Sequence, residues 1–132
     1  MRTWLPGLCA AIVLAGCASA DSVKQAQGQG VKRTFRHPYE AVYQAAVNAA
    51  SRRKLELIEE DRAAGRLVLS GGGSWTSFGE RIAVFVTRGN DRATIVEVVS
   101  RPVGGPITFP PDWPSLLFGD IDQELTVTRK PK

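Results

Sequence analysis

The sequence predicts an α+β domain, an antiparallel sheet of four to five strands with two helices packed on one face, in the order β-α-β-β-β-β-α. Three observations carry this. Between Leu55 and Ser100, short runs rich in Val, Ile and Leu are separated by clusters of Gly, Asn and Asp, the pattern of a meander. A segment with helical spacing flanks them on each side. The chain has 132 residues, 43% apolar and 23% charged, which suits one folded domain and is too short for two ordinary ones.

Val31 to Phe35 reads as a first short strand. His37-Pro38 then opens a helix, because proline fits the first turn, where its missing N–H is not needed. Tyr39, Val42, Tyr43, Ala46, Ala49 and Ala50 share one face of it, and the alanines predict close packing on a sheet. Arg52-Arg53-Lys54 ends the helix where cations complement its dipole.

Leu55 to Glu59 and Arg66 to Ser70 form a strand pair around Asp61-Arg62-Ala63-Ala64-Gly65. In that turn Asp bonds its own backbone and Gly supplies positive φ. A loop from Gly71 to Gly79 leads to the strand Glu80 to Arg88, with Ile82, Val84 and Val86 on one face. Gly89-Asn90-Asp91 turns the chain, and Arg92 to Ser100 returns as a β-branched strand. Arg101 to Pro111 carries four prolines and two glycines, so it is read as an irregular connection. Asp112 caps a last helix in which Trp113, Leu117, Ile121 and Leu125 recur every four residues, despite Gly119 within it. Residues 127–132 form a basic tail, leaving 31–126 as the domain.

The first 16 residues have a different character. Arg2 supplies a positive start, Leu5 to Gly16 is mostly apolar, and small residues surround Cys17. This is signal-peptide architecture, too short to span a membrane. The tetrapeptide Leu14-Ala15-Gly16-Cys17 resembles the lipobox of bacterial lipoproteins. That resemblance implies cleavage between Gly16 and Cys17, a diacylglycerol thioether on Cys17 and acylation of its new amino group. An ordinary secretory leader cut after Ala18 or Ala20 is the competing reading, and it gives no reason for the cysteine. Ala18, rather than Asp, after the cysteine implies the outer membrane, facing the periplasm, in a Gram-negative host. Residues 17–30 then read as a lipidated cysteine and a flexible tether with a reach of about 20 Å. Lys24, Lys32, Arg33 and Arg36 lie along it as solvated charges or headgroup contacts. Loss of Cys9 with the leader and acylation of Cys17 leave the domain without a thiol.

Several classes of chemistry find no footing. The net charge of +4 is mild and not interleaved with aromatic residues, so no nucleic-acid partner is expected. The single histidine, His37, precedes a proline and reads as a capping or surface residue. Glu59-Glu60-Asp61 and Asp120-Ile121-Asp122-Gln123-Glu124 lack metal-loop spacing and read as solvated faces. No catalytic residue, metal or cofactor is expected. The loop SGGGSWTSFGE joins mobile glycines to Trp75 and Phe78, a candidate partner-binding finger whose alternative is a hairpin connection folded over the core edge.

The element order and the pattern Tyr39-Glu-Ala-Val-Tyr-Gln-Ala resemble small α+β domains of envelope lipoproteins, and more distantly the two-helix-on-sheet domains of an outer-membrane protein assembly lipoprotein. The expectation is a non-enzymatic interaction or structural module of the envelope, bound to the membrane through Cys17 and to an unknown periplasmic or outer-membrane protein. The alternative is a small-ligand or lipid carrier, which requires a cavity of roughly 300 Å³ or more between helices and sheet.

Overall fold

The computed structural model describes residues 20–71, 79–104 and 111–128. A short helix α1 (Ala20–Lys24) precedes β1 (Val31–Phe35), α2 (Tyr39–Arg52), β2 (Glu56–Asp61), β3 (Arg66–Gly71), β4 (Glu80–Arg88), β5 (Thr94–Pro102) and α3 (Trp113–Thr128). The strands form one antiparallel sheet in the order β1-β5-β4-β3-β2. This is the α+β architecture expected from the sequence, with α2 and α3 on one face.

Register explains the core. Leu67, Val84, Val98 and Val31 lie in one row across four strands, and Leu69, Ile82 and Ser100 in the next. Side chains of one row share a face. Leu67, Leu69, Ile82, Val84, Val96 and Val98 join Val42, Tyr43, Ala46 and Ala49 of α2 and Leu117, Phe118, Ile121 and Leu125 of α3 in the main core. Each large apolar side chain buried there stabilises the fold by about 1.5–3 kcal/mol. The alanines of α2 keep the helix close to the sheet, as their spacing predicts.

The second face of the sheet is also covered, which the sequence reading did not anticipate. Val68, Ala83, Phe85 and Val99 form a smaller core with Val23 and Ala26. The segment expected to be a flexible tether is, from Ala20 to Gly30, a strap laid on this outer face. Its polar composition concealed the two residues it inserts, Val23 and Ala26, both buried. Glu97 of β5, 4% exposed, fastens the strap. Its two carboxylate oxygens accept the Gly28 N–H at 2.8 Å each, and one of them accepts the Gly30 N–H at 2.9 Å. Lys24 donates to Glu59 at 3.0 Å and pairs with Asp21 at 3.0 Å. Hydrogen bonds to Asp21 and then Glu59 raise the Lys24 ammonium above its ordinary pKa.

Local boundaries follow from turn chemistry. α2 ends in a Schellman arrangement, with Leu55 N–H donating to Ala50 O and Lys54 N–H to Ser51 O, both at 3.0 Å. Lys54 takes φ 56°, where glycine is usual. The β2–β3 turn is as expected: Asp61 Oδ1 accepts the Ala64 N–H at 3.0 Å, and Gly65 has φ +69°. The β4–β5 turn is shifted. Asp91 and Arg92 have φ 53° and 60°, and the Ala93 N–H donates to Asn90 O at 3.0 Å, a type I′ geometry centred on Asp91-Arg92. Arg92 therefore belongs to the turn, and β5 starts at Thr94.

At its far end β5 continues through Arg101 and Pro102, which the sequence reading gave to the irregular connection. β1 pairs with β5 only as far as Val98, so Pro102 faces β4 on one side and has an open edge on the other. A missing N–H is tolerated at such an edge. Asp112 caps α3 as predicted, accepting the Ser115 N–H at 3.2 Å. The helix runs through Gly119, whose position is open, and reaches Thr128 rather than yielding to a tail at 127.

Tyr43 links α2 to β2 by donating its hydroxyl to Glu60 at 2.7 Å. Burial first, and the Glu60 hydrogen bond second, push this phenol above its ordinary pKa of 10.0. Because the folded pKa is the higher one, the contribution is fully present below about pH 10 and is lost as pH rises beyond it. Tyr43→Phe should cost about 1 kcal/mol at neutral pH and flatten the alkaline decline, read by urea unfolding between neutral and strongly alkaline buffers. An unchanged alkaline slope in the variant would refute the assignment.

Candidate functional site

The sheet's helix-covered face ends at Glu80. Even-numbered residues of β4 point to the main core, so the parity that buries Ile82, Val84 and Val86 also turns Glu80 inward. Its neighbour across β3 is Gly71, which has no side chain. The Trp113 ring of α3 occupies that space, and a methyl group on Gly71 would lie 3.3 Å from Trp113 Cζ2.

Glu80 is 4% exposed. Its Oε2 accepts a 2.6 Å hydrogen bond from Ser100 Oγ. Oε1 is buried with no hydrogen-bond partner, and so is the Trp113 indole Nε1. Buried polar atoms are nearly always paired, so two orphans at one end of a sheet call for an explanation.

Beside them lies a cleft of about 690 Å³ between the β1–β5 end of the sheet and the entry to α3. Val31 and Val98 supply apolar wall from the strands, Pro111 and Pro114 from the helix entry, and Glu80 and Ser100 line its polar side. Val31 is 54% exposed although it shares the inward row of Val98, because the helices leave this corner uncovered. Asp112 also lines the cleft, with both carboxylate oxygens engaged by Ser115.

A second depression, about 420 Å³, lies at the opposite end of the sheet between Tyr39, Arg88 and Arg92. The Arg88 guanidinium stacks 4.1 Å from the centre of the Tyr39 ring. Thr94, which lines it, donates its Oγ1 hydroxyl to His37 O at 2.8 Å.

The remaining residues singled out in the sequence have structural partners or lie elsewhere. Gly16, Cys17, Trp75 and Phe78 lie outside the described residues. The two acidic runs, expected to be solvated faces, serve as clasps. Asp120 accepts from Arg53 at 2.6 and 3.0 Å, Glu124 pairs with Arg52 at 2.6 Å, and Asp122 pairs with Arg33 of β1. Hydrogen bonding to Asp120 raises the Arg53 pKa above its ordinary value. Arg52 and Arg53 therefore tie α2 to α3 as well as sitting at a helix end. Glu59 and Glu60 diverge to opposite faces, one to Lys24 and the other to Tyr43. Among the described residues no three His, Cys, Asp or Glu side chains gather as a metal-binding group, and no helix is long and apolar enough to cross a membrane.

Sequence reasoning missed Glu80, Ser100 and Glu97. The signal for Glu80 was parity: a carboxylate two residues before Ile82, on the face predicted to be buried. For Glu97 it was an acid inside the apolar run Ile95 to Val99.

No protein-family model matches the chain, and no curated protein does. Among solved structures it is similar to the crystal structure of the di-domain ARO/CYC StfQ from the steffimycin biosynthetic pathway, with a TM-score of 0.50 and 10% identity. The match covers 74% of this chain and 43% of that one, so the likeness spans less than half of the larger protein. At this identity it is a likeness of fold.

Proposed function

We propose that the chain is an outer-membrane lipoprotein, anchored through Cys17 and facing the periplasm, whose domain binds a small apolar molecule or lipid without catalysing its conversion. The observation that carries this reading is the cleft of about 690 Å³ at the Glu80 end of the sheet. It exceeds the roughly 300 Å³ at which small-molecule sites begin, and it combines apolar walls with few polar groups. The fold likeness is to an ARO/CYC protein of a biosynthetic pathway. It transfers no residue and no reaction.

Anchoring and strap together set the domain's position. Only Ala18 and Ser19 separate Cys17 from α1, a span of at most about 10 Å when extended. The domain on this reading rests against the headgroups, closer than a free tether would place it. Cys17→Ser should abolish acyl labelling and release the protein from membranes, whereas persistent labelling would defeat the anchor.

The cleft is tested with N-phenyl-1-naphthylamine, a neutral apolar fluorophore. Saturable one-to-one binding is expected, weakened about tenfold or more by Val31→Arg at the half-exposed wall. Binding of equal strength in the variant would contradict the reading.

An interaction module remains the second reading, supported by β2. This edge strand carries a bulge between Leu57 and Glu59, leaving Leu57 45% and Ile58 41% exposed. An unpaired edge with apolar side chains can accept a partner strand. Absence of fluorophore binding, together with a discrete in-cell crosslink from a photoreactive group at Ile58, would move the function to this edge.

A further inference from the structure

We infer that the polar end of the ligand is a primary ammonium group, held by Glu80 at the inner end of the cleft. The inference rests on the cleft reading above and adds the ligand's chemical class. Glu80 is 4% exposed, and its Oε1 is buried without a hydrogen-bond partner. Among the described residues Oε2 is engaged by Ser100 at 2.6 Å. Removing a carboxylate from water is costly unless donors and an opposite charge replace its hydration. A serine hydroxyl supplies one donor and no charge. Among the described residues the ion pairs fall elsewhere, and no Lys, Arg or His reaches Glu80.

The surroundings select the sign of the missing partner. Asp112 brings a second carboxylate to the same cleft, its hydrogen-bonding capacity turned toward Ser115. Arg101, the cation in the lining, lies on the opposite side-chain parity from Ser100 and donates to Gln29 at 2.8 Å. Carboxylates thus outnumber guanidinium groups in the lining, two to one. A ligand carboxylate or phosphate would be repelled there. A hydroxyl would satisfy Oε1 and leave the charge uncompensated. An alkylammonium provides Glu80 with three donors and the counter-charge, and offers no acceptor to Trp113 Nε1, which does not line the cleft, while its hydrocarbon chain lies along Val31, Val98 and Pro114.

The test uses three probes of equal chain length, octylammonium, octanol and octanoate, titrated into the full-length Cys17→Ser chain and followed by amide and indole N–H chemical shifts. Octylammonium is expected to bind about thirtyfold more tightly than octanol, with octanoate weakest. Glu80→Gln should abolish the preference for octylammonium over octanol. Equal binding of octanol and octylammonium, or preference for octanoate, would overturn the ammonium assignment while leaving the cleft intact. Failure of all three probes to bind would remove the cleft reading and the assignment with it. Should Glu80→Gln lose its native spectrum, the ranking of the probes on the unsubstituted Glu80 chain decides alone.

Discussion

Gly65→Ala is expected to lower the unfolding free energy by about 3 kcal/mol, through two effects at one carbon. Gly65 closes the β2–β3 turn at φ +69°, where an L residue loses roughly 1–2 kcal/mol to the contact of its Cβ with its own backbone. A methyl group there would also collide with the Val86 carbonyl oxygen and the Tyr39 hydroxyl. Neither neighbour can readily retreat. Val86 is in the main core, and its N–H donates to Gly65 O at 2.7 Å. Tyr39 is stacked on Tyr43, with the Arg88 guanidinium over its ring. Overpacking of this kind adds roughly 1–3 kcal/mol. Urea unfolding of both chains measures the sum, and a loss below about 1 kcal/mol would show that the turn relaxes in a way the packing does not allow.

The second large effect is expected at Glu97. Glu97→Ala removes the acceptor of the Gly28 and Gly30 N–H groups, three contacts of 2.8 to 2.9 Å. Hydrogen bonds to a charged group contribute about 1.5–3 kcal/mol each, and an orphaned buried N–H costs about 1–3 kcal/mol. Water can reach the strap once it lifts, so the loss is expected near 3 kcal/mol rather than at the full sum. Gly30 is seated where a side chain would collide with the Val98 carbonyl oxygen and with Val99. Lifting the strap withdraws Val23 and Ala26 from Phe85 and Val99. Trypsin should then cleave after Lys24 many times faster in Glu97→Ala than in the unaltered chain, with Glu97→Gln intermediate. Equal protection of Lys24 in all three proteins would mean that the apolar contacts alone secure the strap.

The parts of the fold governed by local chemistry were legible in the sequence. The Tyr39–Ala50 stripe, the Glu80–Arg88 alternation, the Asp61–Gly65 turn and the Asp112 cap each rest on side chains that determine their own backbone. What escaped was decided by contacts distant in the chain. Ala20–Gly30 carries too little apolar surface to announce a packed segment, yet Glu97, 67 residues after Gly30, holds it in place. The unbroken burial of Leu67-Val68-Leu69 and of Ile82 to Val86 is the trace of that second layer, because a sheet with one wet face alternates strictly. Arg92 reads as strand because its β-branched successors hide a turn with positive φ at two residues that are not glycine. The acidic stretch Asp120–Glu124 reads as a solvated face because its cations come from the end of α2 and from β1, elements brought together only by the fold.

The candidate site was less legible still. The lipobox and the Trp75 loop dominated the sequence reading, and both lie outside the described residues. In the sequence Glu80 reads as no more than the polar start of a strand. Its significance needs three facts that no local pattern contains: Gly71 beside it, Ser100 diagonal to it on β5, and the absence of helical cover above Val31.

Whether an organic molecule occupies the Glu80 end of the sheet is decided by intermolecular nuclear Overhauser effects between octanol, a neutral probe, and methyl-labelled protein. Contacts from the alkyl chain to the methyls of Val31 and Val98 are expected, with a shift of the Trp113 indole N–H. Contacts to Leu57 and Ile58 on β2, or to no methyl group at all, would contradict a binding cleft at Glu80.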